Sequence, residues 1–154
     1  MSEQENAELI LELINAVEER DAERLFANYH DDVEFHDASS LPYGGSYHGK
    51  DEIVARFEED PEDTWLGTWG PLQPTDSERR MDARIVAASG DEVVALYHQR
   101  ALSPDGEHFD KPCIGLYQVR DGKLARAQMF HYDTAAISAF LERARARSEQ
   151  GRGR

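Results

Sequence analysis

The first twenty residues carry the pattern of an amphipathic helix. Within Leu9–Val17 the apolar positions lie three or four residues apart, which places them on one side of a helix. Ser2 and Glu5, just before this stretch, have the spacing of a capping box, and the helix is predicted to end near Arg20. Asp21 is placed to cap a second, shorter helix.

A short strand is predicted at residues 32–38, and it raises a question about Asp37. Val33 and Phe35 alternate as the buried face of a strand should, and Asp37 falls on the same face. An inward carboxylate is costly unless it is paired, so it suggests either chemistry or a buried hydrogen bond. The alternative is that the strand has already ended and Asp37 caps the following turn. A turn-rich segment and a third helix at residues 49–60 come next.

From residue 65 onward the apolar positions change to a period of two, which indicates strands. The predicted strands are residues 65–70, 81–88, 92–101, 112–119 and 124–132. Hairpin-type turns connect the later strands, so we expect an antiparallel meander. A last helix begins near Asp133, and the polar residues 148–154 are predicted to form a flexible tail.

This order of elements is typical of an α+β fold. We expect residues 1–147 to form one domain, in which the N-terminal helices pack on one face of a strongly curved antiparallel sheet. Such a sheet encloses a cavity that is open at one end and can hold a small molecule.

The charge balance narrows the class of partner. The chain of 154 residues has 31 Asp and Glu against 17 Lys and Arg, and its net charge of −14 argues against nucleic acids and anionic membranes. No apolar run approaches the ~20 residues of a membrane span, and the N-terminus lacks the basic region of a secretory signal. The single cysteine, Cys113, excludes an internal disulfide and suits a reducing compartment. We therefore expect a cytoplasmic protein whose partner is a small molecule.

One local motif and the order of elements resemble a known superfamily. The segment FANYHDDVEFHDASSLPYGGSYHGKDEI, residues 26–53, resembles the SnoaL-like and ketosteroid-isomerase-like branches of the NTF2-like superfamily. The resemblance implies an NTF2-like cone fold and a homodimer in which a second copy covers the outer face of the sheet. The superfamily includes isomerases, dehydratases, epoxide hydrolases, polyketide cyclases and members without chemistry, so the fold alone does not fix the function.

The resemblance assigns roles to two carboxylates. Asp37 matches the position where ketosteroid isomerases hold their general base. Asp133 matches the position of the catalytic aspartate in SnoaL-type cyclases, with His131 on the same face, although Asp133 is also placed to cap the last helix. The two hydrogen-bond donors of ketosteroid isomerases correspond to Leu13 and Gly115, whose side chains cannot donate. We therefore do not expect isomerisation of steroid enones.

Further side chains are candidates for the cavity wall. His98 and Arg100 share one face of a predicted central strand and suit an enolate or a carboxylate, whereas the opposite parity turns Tyr97 and Gln99 inward instead. The aromatic residues predicted to bind substrate are Tyr43, Tyr47, Trp65, Trp69 and Tyr117. The six histidines lack the spacing of a metal site, so neither a metal nor a cofactor is predicted.

These residues predict a cofactor-independent enzyme that moves a proton next to a carbonyl group in a small, apolar, polyketide-like molecule. The outcome would be cyclisation, isomerisation or dehydration. Asp37 or Asp133 would be the general acid or base, His98 and His131 would assist, and Arg100 or a tyrosine would stabilise the oxyanion. Two alternatives stay open. One is a non-catalytic module that binds a small ligand or a protein in the same cone, and the other is an epoxide hydrolase with an Asp–Arg–Asp set.

Overall fold

Helices and strands segregate along the chain. A computed structural model describes residues 2–152, with side chains described as far as residue 146. Its α-helices are α1 (Glu3–Glu18), α2 (Ala22–Ala27), α3 (Lys50–Glu59), α4 (Trp65–Trp69), α5 (Asp76–Arg79) and α6 (Thr134–Arg152). Its strands are β1 (Tyr29–Asp37), β2 (Gly45–His48), β3 (Arg84–Ser89), β4 (Glu92–Leu102), β5 (His108–Arg120) and β6 (Lys123–His131). The predicted α+β class is confirmed.

The six strands form one curved, unclosed sheet in the order β2-β1-β6-β5-β4-β3. Neighbouring strands are antiparallel except β1 and β6, which pair in parallel. The predicted antiparallel meander is confirmed for β3–β6, and the parallel pair β1–β6 is the exception in the sheet. Because parallel strands end at the same edge of a sheet, the last residues of β1 and β6, Asp37 and His131, are brought together.

The segment after α3 is helical, and the strand predicted at residues 65–70 is wrong. Thr64 caps α4, because its hydroxyl accepts a hydrogen bond from the backbone N–H of Gly67 at 3.1 Å. Gly67 also packs so close to the backbone of Pro61 that a Cβ there would clash. The two tryptophans, four residues apart, follow the period of a helix as well as that of a strand, which explains the error.

Strand β2 lies in a segment that was predicted as a turn. Gly45–His48 pairs antiparallel with β1, and Tyr47 lies opposite Phe35. Gly45 has a φ of 113°, a conformation that glycine adopts easily and that here precedes a strand of four residues. The glycines and Pro42 gave the stronger local signal, so the short strand was missed.

Two apolar clusters form the core. The larger one joins α1 to the inner face of the sheet and includes Ile10, Val33 and Val93, all fully buried. The smaller one joins α4 and α6 to β5, where the ring centroids of Phe109 and Phe140 lie 5.0 Å apart beside Trp69. Both clusters leave the outer face of the sheet uncovered.

Alternation along the central strands separates the two faces of the sheet. On the inner face Tyr97, Cys113 and His131 are neighbours across β4, β5 and β6. On the outer face the next row consists of Leu96, Ile114 and Phe130, of which Ile114 and Phe130 are exposed. The row Leu96, Ile114 and Phe130 is called the outer row below.

The ends of the chain bear on two expectations. Helix α6 extends to Arg152, and residues 153 and 154 of the predicted tail lie outside the described residues. The single domain at 1–147 and the tail at 148–154 stay predictions. None of the helices between residues 2 and 152 is long and apolar enough to cross a membrane.

Candidate active site

A cavity of about 260 Å³ lies between the helices α1–α3 and the inner face of the sheet. Most of its wall is apolar, with Leu13, Phe26, Phe57 and Met129 among the lining residues. The polar side chains of this wall come from the end of β1, from tyrosines, and from residues of and around α1–α3, including Arg20 and Arg56. A cavity of this kind suits a small organic molecule with a few polar atoms.

Asp37 lines the cavity, in agreement with the inward direction that the alternation of β1 predicted. Its Oδ1 atom accepts two hydrogen bonds of 2.7 Å, one from the His131 ring at Nε2 and one from the backbone N–H of Ala38. Within the described part of the chain, its Oδ2 atom has no hydrogen-bond partner. One oxygen is thus held in place while the other is left to interact with a ligand.

His131 lies behind Asp37, with a side chain only 2% exposed. Burial alone would lower the pKa of His131, but the hydrogen bond to Asp37 and the neighbouring Cys113 raise that pKa to about 10. At neutral pH the pair is therefore an imidazolium and a carboxylate in contact. The sequence suggested His131 as a partner of Asp133, whereas the structure places it against Asp37 through the parallel pairing of β1 and β6.

Four tyrosines, Tyr29, Tyr43, Tyr97 and Tyr117, supply hydroxyl groups around the cavity. Burial raises the pKa of each of them, so all four stay protonated and can donate hydrogen bonds at neutral pH. The negative charge of Asp37 adds to this effect on Tyr43 and Tyr97, which shows that both rings lie near the carboxylate.

The hydroxyl of Tyr97 is already partly engaged. It donates to the sulfur of Met129 at 3.3 Å and accepts from the thiol of Cys113 at 3.1 Å. The hydroxyl of Tyr117 has no hydrogen-bond partner among residues 2–146. Of these two, Tyr117 is the phenol that is freer to donate to a ligand. The buried hydroxyl of Tyr43 likewise has no hydrogen-bond partner among residues 2–146.

Gly115 makes room for Tyr117. A Cβ atom at residue 115 would lie 2.3 Å from the hydroxyl oxygen of Tyr117 and 2.4 Å from its ring carbon Cζ. The phenol thus occupies the space that a side chain at position 115 would fill. The side chain of Gly115 cannot donate a hydrogen bond, as the sequence already shows. In the structure the hydroxyl of Tyr117, two residues later, lies at this place.

Replacing Gly115 by alanine should destabilise the fold by about 2 kcal/mol, because the ring of Tyr117 must leave its position to admit the methyl group. Urea unfolding at pH 7 measures this loss. In a Tyr117→Ala background the same change should cost little, since the clashing ring is gone. An equal loss in both backgrounds would show that Tyr117 is not the reason for glycine at this position.

The structure does not place His98 and Arg100 at the cavity, so the prediction that they line it is corrected. His98 lies 2.8 Å from the carboxylate of Asp110, and Arg100 bridges Asp110 and Asp82 at 3.1 and 2.7 Å. These groups belong to the outer face of the sheet. Tyr97 and Gln99 face inward instead, with Tyr97 lining the cavity and Gln99 buried.

Asp133 and Trp69 also lie away from the cavity. The Asp133 carboxylate accepts a hydrogen bond of 2.9 Å from the backbone N–H of Ala136 and so caps α6. Trp69 is fully buried in the smaller core cluster. Because Arg100 and Asp133 are both elsewhere, the Asp–Arg–Asp set of an epoxide hydrolase is not brought together.

The other aromatic candidates do line the cavity. Tyr43, Tyr47, Trp65 and Tyr117 all contribute to its wall. The ring nitrogen of Trp65 donates to the side-chain oxygen of Gln99 at 2.9 Å, which fixes the indole and gives buried Gln99 a partner. The binding roles predicted for these four residues stay predictions.

Comparison with known proteins agrees with this architecture. The family model described as a SnoaL-like domain matches residues 10–127, which is most of the chain. The chain belongs to the SnoaL-like domain family. The predicted resemblance is thus confirmed at the level of the family. No curated protein gives a significant match to this SnoaL-like chain.

Solved structures show the same fold at low sequence identity. TerC, co-crystallised with polyporic acid, is 24% identical over 90% of this chain and 98% of its own, with a TM-score of 0.70. Bal32a, from a soil-derived mobile gene cassette, is 19% identical over 91% of this chain and 99% of its own, with a TM-score of 0.69. A putative SnoaL-like polyketide cyclase from Jannaschia sp. CCS1 is 15% identical over 88% and 91%, with a TM-score of 0.62.

Proposed function

We propose that this SnoaL-like protein is a cofactor-independent acid–base enzyme acting on a small, mostly apolar carbonyl compound, with Asp37 as the base. The observation that carries the proposal is the position of the Asp37 carboxylate. One oxygen is fixed by two donors, and the other is unengaged at the wall of an apolar cavity. A general base needs this combination of fixed orientation and free lone pairs.

In the proposed reaction, Oδ2 of Asp37 removes a proton from the carbon next to the substrate carbonyl. The electron pair of the broken C–H bond moves to the carbonyl oxygen and forms an enolate. The hydroxyl of Tyr117, or that of Tyr97, donates a hydrogen bond to this oxygen. Asp37 then returns the proton elsewhere on the molecule. In the alternative outcome the enolate carbon attacks a second carbonyl and closes a ring, the π electrons of that carbonyl move to its oxygen, and the resulting alkoxide takes the proton back from Asp37.

His131 has a defined part in this scheme. Before the reaction the imidazolium balances the charge of Asp37, and afterwards it balances the charge of the enolate. The site therefore keeps the same net charge throughout, which is favourable in a poorly solvated cavity.

The nature of the base also restricts the substrate. A carboxylate is a weak base, so the C–H bond that is broken must be an acidic one, such as that between two carbonyl groups. Polyketide-like molecules have this feature, and one structural relative is named as a putative polyketide cyclase.

A substrate-independent test uses 5-nitrobenzisoxazole, which opens to a coloured nitrophenolate when a base removes the proton at C3 of its isoxazole ring. We expect saturable turnover with a rate well above that of acetate at an equal carboxylate concentration. This comparison is needed because the chain carries 31 acidic residues, most of which react no faster than acetate. A rate that is linear in probe and no higher than the acetate rate would instead support a non-catalytic binding module.

We also propose that the protein is a homodimer through the outer row. Leu96, Ile114 and Phe130 form a contiguous apolar row, and Phe130 is 49% exposed in the single chain. Light scattering at micromolar concentration should give twice the chain mass of 17.5 kDa. Phe130→Asp should give a monomer because it places charges in the interface, whereas Leu11→Asp on α1 should stay dimeric. A monomeric wild-type protein would contradict the proposal.

A further inference from the structure

Two arginines line the same cavity as Asp37, Arg20 at the end of α1 and Arg56 on α3. We propose that they bind an acidic group of the ligand, a carboxylate or an ionised enol, so that the substrate is an apolar organic acid. The inference rests on the proposed function, because the bound acid is a substrate only if the protein is an enzyme. Its evidence is separate, because it comes from the contacts of Arg20 and Arg56 and not from those of Asp37.

Arg20 is a half-buried cation that only neutral groups contact. Its guanidinium donates to the backbone carbonyl of Val17 at 3.0 Å and to the side-chain oxygen of Gln73. None of the ion pairs in the described part of the chain involves Arg20. Burial, together with the positive charge of Arg79, lowers the pKa of Arg20, so the guanidinium lacks a counter-charge.

Buried Gln73 holds these two cations side by side. Its side-chain oxygen accepts from Arg20, and its backbone carbonyl accepts from Nε of Arg79 at 3.0 Å. Its side-chain nitrogen donates to the backbone carbonyl of Arg100 at 2.8 Å. Gln73 is only 2% exposed, so this arrangement is built into the core and does not depend on mobile surface side chains.

Arg24 shows that carboxylates are available nearby. It lies 2.6 Å from Glu12, 2.5 Å from Glu19 and 3.9 Å from Asp21. Four residues earlier, Arg20 has no such partner in a chain whose net charge is −14. Arg24 does not line the cavity, whereas Arg20 does. Arg20, which forms no ion pair within the described residues, is thus the arginine that a ligand in the cavity can reach.

The backbone at Arg20 gives a second reason to look for a role of its side chain. Its φ is 59°, in the left-handed region where a residue just after a helix is most often glycine. A side chain in this region is strained relative to glycine. The chain nevertheless places a long cation there, beside the cavity.

Arg56 adds a second cation to the wall. Its guanidinium carbon lies 4.2 Å from the centre of the Tyr47 ring, and it donates to the backbone carbonyl of Asp63 at 3.1 Å. Each carboxylate that lines the cavity among the described residues is either engaged or exposed. Asp21 caps α2, Asp63 belongs to an exposed group with Asp60 and Glu62, and Asp37 is neutralised by His131.

The test compares two probes of nearly equal shape, 2-naphthoate and 2-naphthamide, by isothermal titration calorimetry at pH 7 and low salt. Wild-type protein should bind the anion more tightly than the amide. Arg20→Gln should weaken naphthoate binding about tenfold or more and change naphthamide binding less than twofold, since only the anion loses a charged hydrogen bond. Arg24→Gln is the matched control and should leave both affinities unchanged.

A second variant separates binding from folding. Arg20→Gly removes the cation and suits the backbone at this position, which offsets the loss of the hydrogen bond to buried Gln73. The protein should therefore stay folded, as circular dichroism checks, and should still lose its preference for naphthoate. The inference is overturned if wild-type protein binds neither probe, binds both equally, or loses both equally in the Arg20 variants. Turnover of 5-nitrobenzisoxazole by the wild-type protein and by Asp37→Asn tests the base without any Arg20 variant, so failure here and failure of Asp37 as the base are distinguishable.

Discussion

Asp37→Asn should reduce the turnover of 5-nitrobenzisoxazole by about 10² or more while the protein stays folded. Asparagine has nearly the same shape as aspartate, and its side-chain oxygen can still accept from the backbone N–H of Ala38. Its amide cannot accept the substrate proton, so only the chemical step is lost. The measurement is the rate of phenolate formation at saturating probe, with circular dichroism to confirm folding.

Asp133→Asn provides the matched control for this experiment. It makes the same chemical change at the second predicted carboxylate, and asparagine is as good a helix cap as aspartate. Because Asp133 caps α6 and lies away from the cavity, turnover should stay within about twofold of the wild-type rate. The opposite result, with a large loss in Asp133→Asn and none in Asp37→Asn, would move the chemistry to the end of β6.

The inward direction of Asp37 could be predicted from the sequence, because it depends on a local rule. Val33 and Phe35 fix which face of β1 is buried, and a period of two then carries Asp37 to the same face. The N-terminal helices and the four strands β3–β6 follow from the same kind of local periodicity. Local periodicity also misled at α4, where two tryptophans four residues apart fit both periods.

The partner of Asp37 could not be predicted from local patterns. His131 is 94 residues away in the chain and reaches Asp37 only because β1 and β6 pair in parallel. A meander of hairpins predicts only antiparallel neighbours, so it gives no sign that β1 and β6 pair in parallel. The residue spacing around His131 instead suggested Asp133, which is two residues away but turns toward the backbone of α6.

The orientation of β4 shows a different limit. Along this strand His98 and Arg100 alternate with Tyr97 and Gln99, and all four side chains have polar atoms. Either pair of side chains could face the cavity, so the sequence alone left both orientations of the strand open. In the structure Tyr97 and Gln99 face inward, where the indole of Trp65 donates to the side-chain oxygen of Gln99, although the side-chain nitrogen of Gln99 has no partner among the described residues. His98 and Arg100 face outward and contact Asp110 and Asp82.

The stability of the protein should fall as the pH rises above neutrality, because of His131. The pKa of His131 is about 10 in the folded protein, against about 6.5 for a histidine in an unfolded chain. A raised pKa stabilises the fold fully below pH 6.5, and this stabilisation is lost as the pH rises toward 10. Between pH 6.5 and 8.5 the free energy of unfolding should therefore decrease by roughly 1 kcal/mol per pH unit, or about 2 kcal/mol in total.

Urea unfolding at pH 6.5, 7.5 and 8.5 measures this slope, and His131→Gln isolates the part due to the pair. Glutamine can still donate to Asp37 but has no proton to lose, so the variant should be less stable at pH 6.5 and nearly independent of pH up to 8.5. Asp37→Asn should also flatten the slope, because without the carboxylate burial lowers the pKa of His131 again. If the wild-type slope persists in both variants, His131 and Asp37 are not a charged pair, and the counter-charge assigned to His131 in catalysis fails with it.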